Sequence, residues 1–593
     1  MNGSDIVKIS ATFMIGLMTF GCTAMDRPAD AQNAPPGLAT PNAVEGISGI
    51  VLGPAGAGIP NASIVLQDTL LADFSRPDGS FSFQGLPDED YVVSVSRTGL
   101  RTQFFEVTVT DGKSSPIEVS MEPNPYFLKA AADFEKAKPE RLAEKADYLN
   151  EISSRPADAP NIVVIFFDDL GYGDIGVYGN RLISTPHMDQ LAAEGVRMTE
   201  FYSASPVCTP SRAALMTGRY PSRALAANHV FFPSGSPVAM IRQALGFQNA
   251  LPQDEILLPE VLQRAGFRTA LIGKWHLGDE PGHKPNDLGF DRFFGALYSN
   301  DMSPFEIYSD ENVVIPADDV NQGELTPAYS SEAIEFMQAG DAPYFLYFAH
   351  TFPHVPHFAD ATFSGASAAG VYGDIVEDLD RSVGAIVDSV KSDSSDRETL
   401  IIVTSDNGGD YLGSSGPLRG RKAEVFEGGM RVPMIAWWPE KLPAGEVRDG
   451  MAMNIDLFPT VLSMLGIQLP KDRVIDGENI LPLLEGQETT PHDHLFYTTA
   501  WDGETVGVRN DEYKFLDRMT KRSVNAFHPH PSPFVSFADQ MLTDLVRDNE
   551  AHNVIEKHPE IAAELIERLE RRRSDLEDNV RGWLPLMDAE DAN

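Results

Sequence analysis

The sequence predicts an α/β protein with a large, mainly parallel sheet flanked by helices, a small C-terminal antiparallel sheet with a helix, and an N-terminal all-β sandwich. Residues 159–480 alternate near-continuous apolar runs of strand length with amphipathic helical segments, as in parallel sheets that are covered on both faces. Residues 45–122 contain short β-rich runs separated by Gly, Pro and Asp, which is typical of a sandwich of about seven strands. Residues 481–593 contain short strand-like runs and a charged helical segment. Residues 123–158 are expected to form a helical linker.

The first 31 residues have the features of an export signal followed by a tether. An apolar run at residues 11–21 is shorter than the roughly 20 residues that span a bilayer. Cys22 follows it, where a bacterial lipoprotein is cleaved and acylated, whereas Ala-Asp-Ala at 29–31 fits cleavage for soluble export. We therefore expect an exported protein, in the periplasm or at the cell surface, with membrane contact only through a lipid anchor at Cys22.

Four apolar runs are the strand candidates of residues 159–480, called here the larger body. Each run leads into polar residues able to do chemistry. The runs are NIVVIFF (161–167), RTALIG (268–273), PYFLYFA (343–349) and TLIIVTS (399–405). Because the carboxyl ends of parallel strands meet at one edge of a sheet, where ligands bind, these residues are expected to form one site. They are Asp168 and Asp169, Lys274 and His276, His350, His354 and His357, and Asp406 and Asn407.

A metal site with oxygen ligands is expected at this edge. Carboxylate and amide oxygens are hard donors that suit Ca²⁺ or Mg²⁺, whereas Zn²⁺ prefers His or Cys in the set. Flexible coordination by several oxygens favours calcium, and no nitrogen or sulfur ligand is adjacent. The expected ligands are Asp168, Asp169, Asp406 and Asn407.

The charge balance indicates what this site binds. The chain has 87 acidic and 46 basic residues and a formal net charge of −41, which argues against nucleic acid as a partner. Arg212, Lys274 and Lys422 would nevertheless place three cations beside a metal. Such a pocket suits a dianion or a tetrahedral oxyanion, for example sulfate or phosphate.

Cys208 is one of two cysteines and lies in the stretch PVCTPSRAALMTGRYPSR at residues 206–223. Thr209 followed by Pro210 predicts an N-cap and the first helical position, and Gly218 is the expected stop. The free N–H groups of a helix N-terminus favour an anion or a reactive nucleophile, and Arg212 lies one turn further along. The alternative is a buried structural cysteine. Removal or lipidation of Cys22 would leave Cys208 without a disulfide partner in an exported protein, which favours chemistry.

Six separated motifs and a C-terminal tail within residues 160–575 resemble those of the type I, formylglycine-dependent sulfatases of the alkaline-phosphatase-like superfamily. Cys208-Thr209-Pro210-Ser211-Arg212 with AALMTGR is similar to the family signature C-x-P-S-R followed by T-G-R, and GKWHLG (273–278) to its second signature. DDLGYGD, GFDRFFG, SDNGG, Lys422 with EGG (427–429), and the tail DNEAHNVIEKHPEIAAELIERL occur in the expected order. Separately, ISGIVLGPAGAGIPNASIVL and RPDGSFSFQGLPDEDYVVSVSRTGLRT resemble a carboxypeptidase regulatory-like domain.

The resemblance implies a sulfuric ester hydrolase and a role for each matching residue. Cys208 would be oxidised to formylglycine by a maturation enzyme, and its hydrate would be both the nucleophile and a ligand of one Ca²⁺ held by Asp168, Asp169, Asp406 and Asn407. Arg212, Lys274 and Lys422 would offset charge on the sulfuryl oxygens. His354, chosen among three histidines because it stands in an H-x-P setting, would protonate the leaving oxygen. His276 would accept the proton whose loss expels sulfate.

The substrate is expected to be a sulfated polysaccharide or oligosaccharide, because the chain has an export signal, an acidic composition and an accessory β-domain. The leaving group is expected to contact loops at 223–255, 279–305 and 520–535. Two alternatives remain at this point. One is a phosphate or phosphonate ester hydrolase of the same superfamily, and the other is a non-catalytic carbohydrate-binding surface protein.

Overall fold

The computed structural model describes residues 44–585 with internal gaps. The expected signal, the tether and Cys22 lie outside the described residues. Residues 524–531 of the expected leaving-group loop at 520–535 also lie outside them. The gaps are residues 55, 60–61, 67–70, 97–99, 101–102, 123–138, 154, 228–229, 245–247, 394–396, 488–489, 501–502, 518, 524–531 and 538–539.

The N-terminal segment is the predicted all-β sandwich. Its described strands form a three-stranded sheet and a four-stranded sheet, together with a short pair formed by Val44–Glu45 and Lys113–Ser114. Their inward side chains, among them Ile47, Phe81 and Val93, form one apolar core. In sheet order the strands are Ser80–Phe83, Ile47–Leu52 and Ile117–Ser120, then Ala72–Phe74, Ser63–Leu66, Asp90–Ser96 and Gln103–Thr108.

The larger body is built on a sheet with ten strands among the described residues. Its five central strands are parallel, and all four predicted runs are adjacent members of this group. The predicted mainly parallel α/β fold is therefore confirmed. In sheet order the strands are Asn312–Ile315, Ile307–Ser309, Arg292–Ala296, Arg268–Lys274, Tyr344–Pro353, Asn161–Asp168, Thr399–Ser405, Met434–Trp437, Val196–Met198 and Glu446–Arg448.

The strand Asn161–Asp168, called here the central strand, sends alternate side chains into two different cores, because successive residues of a strand point to opposite faces. Ile162, Val164 and Phe166 pack on one face and Val163 and Ile165 on the other. This explains the unbroken apolar run in the sequence. The first face is covered by the helices Cys208–Thr217, Leu258–Arg264 and Leu457–Met464, and the second by Pro186–Glu194, Leu325–Gln338 and Gly370–Lys391.

The C-terminal part is the predicted antiparallel sheet with a closing helix. The helix Pro559–Asp578 packs its apolar face on this sheet through Leu565 and Leu569. The sheet strands are Leu495–Thr498, Thr505–Arg509, Tyr513–Leu516 and Met541–Asp544, and a separate antiparallel pair is formed by Met519–Ser523 and Ser532–Phe537. Short helices at Pro237–Ala244, Glu427–Met430 and Leu481–Leu484 and a strand pair Phe201–Tyr202 with Ala452–Met453 complete the larger body.

Within the expected linker, the described helix is Pro139–Glu151. It contacts the larger body, because the Lys145 ammonium donates to the carbonyl oxygens of Gln253 and Glu255 at 3.0 and 2.7 Å and pairs with Glu260 at 2.7 Å. Part of the segment thus packs on that body and does not span open solvent. Among the described helices, none combines the length and the apolar character needed to cross a bilayer.

A buried ion-pair cluster joins the larger body to the segment after the last helix. The Glu255 carboxylate accepts from Arg219 at 2.8 Å and from Arg581 at 2.9 Å, and Arg473 lies at 3.9 Å. Burial alone would raise the pKa of Glu255, but Arg219, Arg581 and Arg473 together hold it at about 2. Glu255 therefore stabilises the folded state above its ordinary pKa of 4.5, and this contribution is lost as the pH falls towards 2.

Replacing Glu255 with Gln is expected to destabilise the protein by about 3–5 kcal/mol at neutral pH, because buried guanidinium groups lose their counter-charge. The midpoint of urea unfolding measures this, and the difference from wild type should narrow as the pH falls below 4.5. Glu446→Gln is the matched control, since the carboxylate of Glu446 pairs with Arg448 at the surface and such pairs contribute about 0–1 kcal/mol. An equal effect of both substitutions would contradict this account.

Candidate active site

The carboxyl ends of adjacent central strands bring the predicted site residues together. Asp168 ends the central strand and Lys274 ends the strand Arg268–Lys274, while Asp406 directly follows Thr399–Ser405. Asp169 and His276 have φ angles of 69° and 65°. Non-glycine residues seldom adopt this left-handed region, and such residues cluster at functional sites.

The helix that carries Cys208 begins two residues earlier than predicted. It spans Cys208–Thr217 with Val207 before it, and it ends at Gly218, whose φ of 69° is the expected left-handed stop. Thr209 is therefore not the N-cap. Its hydroxyl instead donates to the carbonyl oxygen of His276 at 3.0 Å and accepts from the backbone N–H of Phe231 at 3.1 Å, so it is used to hold two loops.

Cys208 is buried in the middle of the carboxylates. Its Sγ lies 3.3 Å from Asp168 Oδ1. Burial, and then the charges of Asp168 and Asp406, raise the pKa of the Cys208 thiol well above its usual value. Burial and these carboxylates thus favour the protonated thiol, whereas a helix N-terminus alone would favour the thiolate.

Arg212 lies one turn after Cys208 and is completely buried. Its Nε and Nη2 donate to Asp406 Oδ2 at 3.1 and 2.9 Å, its Nη1 donates to the carbonyl oxygen of Lys274 at 3.1 Å, and Nη2 lies 3.6 Å from Asp168 Oδ1. The planar guanidinium thus ties the helix to two strand ends at once.

Two lysines pair with two different carboxylates of this site. Lys274 Nζ lies 2.5 Å from Asp168 Oδ2, and Lys422 Nζ lies 2.7 Å from Asp169 Oδ2. Burial would raise the pKa of Asp168, but Lys274 and the other nearby cations outweigh it and hold that pKa well below its usual value. Burial likewise would lower the pKa of Lys422, but Asp169 and its neighbours raise it well above the ordinary range. Both groups are therefore charged at neutral pH.

The residues expected to hold a metal fit a divalent cation with oxygen ligands. Asn407 Nδ2 donates to Asp169 Oδ1 at 2.7 Å, whereas Asn407 Oδ1 is buried and has no hydrogen-bond partner among the described residues. Such an oxygen is an available metal donor. Ligand atoms of Asp168, Asp169, Cys208 and His354 lie within 4.8 Å of one another.

This grouping corrects one expectation, because a nitrogen does lie beside the oxygen donors. His354 Nε2 is 3.7 Å from Asp169 Oδ2. His354 directly follows the strand Tyr344–Pro353, at the edge where the sequence places it, but the sequence does not show its contact with Asp169. Oxygen donors still dominate the set.

His276 has the geometry of a proton acceptor. Its Nε2 lies 3.0 Å from the carbonyl oxygen of Phe231, which can only accept, so Nε2 carries the proton. Nδ1 is then unprotonated, and it is buried without a hydrogen-bond partner among the described residues. Burial, and then the charges of Lys274 and Arg212, lower the pKa of His276 well below its usual value.

The structure separates the three histidines near the end of the strand Tyr344–Pro353. His350 Nδ1 accepts from the backbone N–H of Phe352 at 3.0 Å, and burial lowers the pKa of His350 to about 3. The ring of His357 packs edge-on against Tyr372 with 5.6 Å between centroids. His354 is the one that faces the carboxylates.

Sequence reasoning missed two residues that support this site, Thr209 and Asn300. Thr209 fixes the loops of His276 and Phe231, and Asn300 contacts His354 Nδ1 at 3.2 Å. The position of Thr209 inside the family signature was a signal for the first. Nothing in the local sequence marks Asn300.

Family models match three parts of the chain. The model described as sulfatase matches residues 160–467, and that of the carboxypeptidase regulatory-like domain matches residues 46–122. The model of the C-terminal region of N-sulphoglucosamine sulphohydrolase matches residues 421–575. Together they extend over both the sandwich and the larger body.

Individual sulfatases are similar to the chain over most of their own length. N-acetylgalactosamine-6-sulfatase of Canis lupus familiaris is 38% identical over 379 residues, which are 60% of this chain and 71% of the relative. Arylsulfatase A of Bos taurus is 35% identical over 455 residues, 70% of this chain and 87% of the relative. The crystal structure of Ps i-CgsB in complex with k-i-k-neocarrahexaose superposes with a TM-score of 0.60 at 28% identity, covering 73% of this chain and 96% of the other. The chain therefore belongs to the sulfatase family and is a sulfuric ester hydrolase.

Proposed function

We propose that this sulfatase hydrolyses sulfate esters of carbohydrates, using formylglycine formed from Cys208 and a bound Ca²⁺. The observation that carries the proposal is the position of Cys208. It is buried at the start of a helix, 3.3 Å from a carboxylate of the expected metal site. Burial and the nearby carboxylates raise the pKa of its thiol, so the thiol itself would be a poor nucleophile. Formylglycine at this position would supply a more reactive group among these side chains.

The proposed groups divide the chemistry between them. When bound, Ca²⁺ would polarise a sulfuryl oxygen and offset its charge. The formylglycine hydrate would supply the attacking hydroxyl and, through its second hydroxyl, a way to release sulfate. The cation would be held by Asp168, Asp169, Asp406 and Asn407.

The balance of charge supports anion binding at this site. Three carboxylates are matched by three cations, namely Asp406 by Arg212, Asp168 by Lys274 and Asp169 by Lys422. A divalent cation would therefore leave the site positive within an otherwise acidic protein. Because the site is buried, this charge is weakly screened and can attract a sulfate ester against the overall field. Arg212, Lys274 and Lys422 then face the charge that develops on the sulfuryl oxygens.

Two histidines would move protons at defined atoms. His354 Nε2 faces the carboxylates and would donate a proton to the leaving oxygen of the alcohol. His276 Nδ1 has its lone pair free, since Nε2 donates to the carbonyl oxygen of Phe231, and it would accept the proton released as sulfate leaves. General acid and base catalysis of this kind contributes about 10²–10⁴-fold each.

The proposal that the leaving group is a carbohydrate is supported by similar proteins. One is named N-acetylgalactosamine-6-sulfatase, and the solved structure of Ps i-CgsB contains k-i-k-neocarrahexaose. The test is release of inorganic sulfate from carrageenan, chondroitin sulfate and heparan sulfate oligosaccharides, beside 4-nitrophenyl sulfate, a steroid sulfate and 4-nitrophenyl phosphate. Turnover of at least one sulfated glycan is expected. Turnover of aryl sulfates alone would contradict the carbohydrate assignment, and a preference for the phosphate would support a phosphate ester hydrolase.

Removal of the metal is expected to abolish activity and lower thermal stability. A ligand present at about 100 times its Kd stabilises the folded state by about 2.7 kcal/mol, and this is lost with EGTA. Added Ca²⁺ should restore both sulfate release and the unfolding temperature, and elemental analysis should find one calcium per chain. Full activity of protein shown to be free of metal would contradict the proposal.

Replacing His354 with Gln is expected to lower kcat, and the loss should be larger for substrates with a more basic leaving group. The kcat for phenyl sulfate should fall about 10²-fold or more, whereas that for 4-nitrophenyl sulfate should fall much less, because 4-nitrophenolate is a good leaving group without protonation. His357→Gln is the matched control, since the His357 ring packs on Tyr372. A uniform loss on both substrates would assign His354 a role other than proton donor.

We also propose that the protein is exported and that Cys22 or the Ala-Asp-Ala segment at 29–31 marks its cleavage. The support is the apolar run that precedes Cys22. Metabolic labelling with a fatty acid would modify the wild type and not Cys22→Ala if Cys22 is acylated. A mature N-terminus at residue 32 would instead show soluble export.

A further inference from the structure

The Nδ1 atom of His354 is surrounded by oxygen atoms. Asn300 Oδ1 lies 3.2 Å away, the carbonyl oxygen of Val355 lies at 2.5 Å, and Ser299 Oγ lies at 3.3 Å. Both His354 and Asn300 are buried, with 6% and 4% of their surfaces exposed. The orientation of the ring is therefore fixed by protein groups and not by solvent.

The orientation of the Asn300 amide follows from its other contacts. Its Nδ2 donates to the carbonyl oxygen of Pro356 and to Gln322 Oε1, both at 3.0 Å. A backbone carbonyl can only accept, so the NH₂ group must face Pro356 and the amide oxygen must face His354. Gln322 also contacts the main chain here, since its Nε2 donates to the backbone carbonyl oxygen of Asn300 at 3.4 Å.

This arrangement determines which nitrogen of His354 carries a proton in the neutral ring. Asn300 Oδ1 and the Val355 carbonyl oxygen can only accept, so Nδ1 must donate. Nε2 then faces Asp169 Oδ2 at 3.7 Å and is the atom that gains and gives the catalytic proton. A ring held in this way is already oriented for proton transfer when the leaving oxygen arrives.

We propose that Asn300 is a positioning residue of this sulfatase, which keeps His354 in the Nδ1–H form and aims its Nε2 at the reacting centre. The inference rests on the proposed role of His354 as proton donor. Asn300 does not touch the carboxylates itself and acts through the ring. Val355 lies next to His354 in the chain and its carbonyl oxygen remains in any variant, so loss of Asn300 should weaken the orientation without removing the proton donor.

The first test uses the variants Asn300→Leu, which removes the acceptor, and Asn300→Asp, which keeps an acceptor oxygen. In Asn300→Leu, kcat for phenyl sulfate should fall about 10- to 100-fold, a part of the full general-acid contribution. The kcat for 4-nitrophenyl sulfate and both KM values should stay within about threefold. Asn300→Asp should recover part of the loss. An equal fall on both substrates would overturn the inference, because a merely structural defect affects both alike.

A double-mutant cycle gives a second criterion. In a His354→Gln background, Asn300→Leu should cause no further loss on phenyl sulfate, because residues that act through one another are not additive. A full additional loss would overturn the inference. Asn161→Leu serves as the matched control, since the buried Asn161 amide donates to Thr399 Oγ1 and accepts from the Tyr344 N–H at the opposite ends of the strands, and it should leave the activity on both substrates unchanged.

A measurement independent of turnover separates this inference from the proposed function. In protein labelled with ¹⁵N-histidine, the His354 signals, assigned by their loss in His354→Gln, should show the Nδ1–H form in wild type and a mixture in Asn300→Leu. An Nε2–H form in wild type would overturn the inference. Protein that shows the Nδ1–H form and releases no sulfate would support the Asn300 contact and contradict the proposed function.

Discussion

Replacing Cys208 with Ala is expected to lower kcat/KM for every sulfate ester by at least about 10⁴-fold, because the group proposed to attack sulfur is removed while the rest of the site is kept. The substitution deletes one buried sulfur, which lies 3.3 Å from Asp168. Neighbouring cations and the metal would still bind the substrate, so KM should change little. Ion chromatography of released sulfate measures the effect.

Cys208→Ser is the matched variant, since it keeps a hydroxyl of similar size at the same place. An ordinary hydroxyl that accepted the sulfuryl group would form a stable ester with no second hydroxyl to expel sulfate. We therefore expect no multiple turnover from Cys208→Ser in a host that oxidises only cysteine at this position. Retained turnover in either variant, with an unchanged unfolding temperature, would contradict a catalytic role for residue 208.

Replacing Arg212 with Met is expected to damage both activity and stability. Arg212 is fully buried and donates twice to Asp406, so Met leaves a buried carboxylate beside Asp168 without its partner. Breaking a buried ion pair in this way costs about 3–5 kcal/mol, and the loss of a cation proposed to face the sulfuryl oxygens should cost about 10²–10³-fold in kcat. Urea unfolding in the presence of EGTA and steady-state kinetics with Ca²⁺ measure the two effects separately.

Two further variants sharpen this result. Arg212→Lys keeps the charge but cannot make the forked contact with Asp406 or reach the Lys274 carbonyl oxygen, so it should recover only part of the loss. Arg571→Met is the surface control, since the Arg571–Glu567 pair is exposed and contributes little. Wild-type stability and kcat in Arg212→Met would contradict the assigned role.

The main features of the fold could be predicted because they depend on local patterns. The run at 161–167 is apolar at every position, which indicates a strand buried on both faces, and its alternate residues do enter two cores. The polar residues at the strand ends followed from the general geometry of parallel sheets. The same geometry predicts that Asp168, Asp406 and Lys274 lie at one edge of the sheet.

Details that depend on contacts between distant segments could not be predicted. The hydroxyl of Thr209 holds the loops of His276 and Phe231, although its position before Pro210 suggested a helix cap. The nitrogen of His354 beside Asp169 and the amide of Asn300 behind it come from loops that only the folded sheet brings together. Local sequence does not encode which atom of a side chain faces a partner.

The central claim is that residue 208 is converted to formylglycine. The most direct measurement is the mass of the tryptic peptide that spans residues 198–212, taken from protein made in its native host, with Cys208→Ala protein as the reference. The account predicts the mass decrease that accompanies exchange of a CH₂–SH group for an aldehyde, together with a peptide that reacts with hydrazides. An intact thiol in protein that turns over sulfate esters would contradict it.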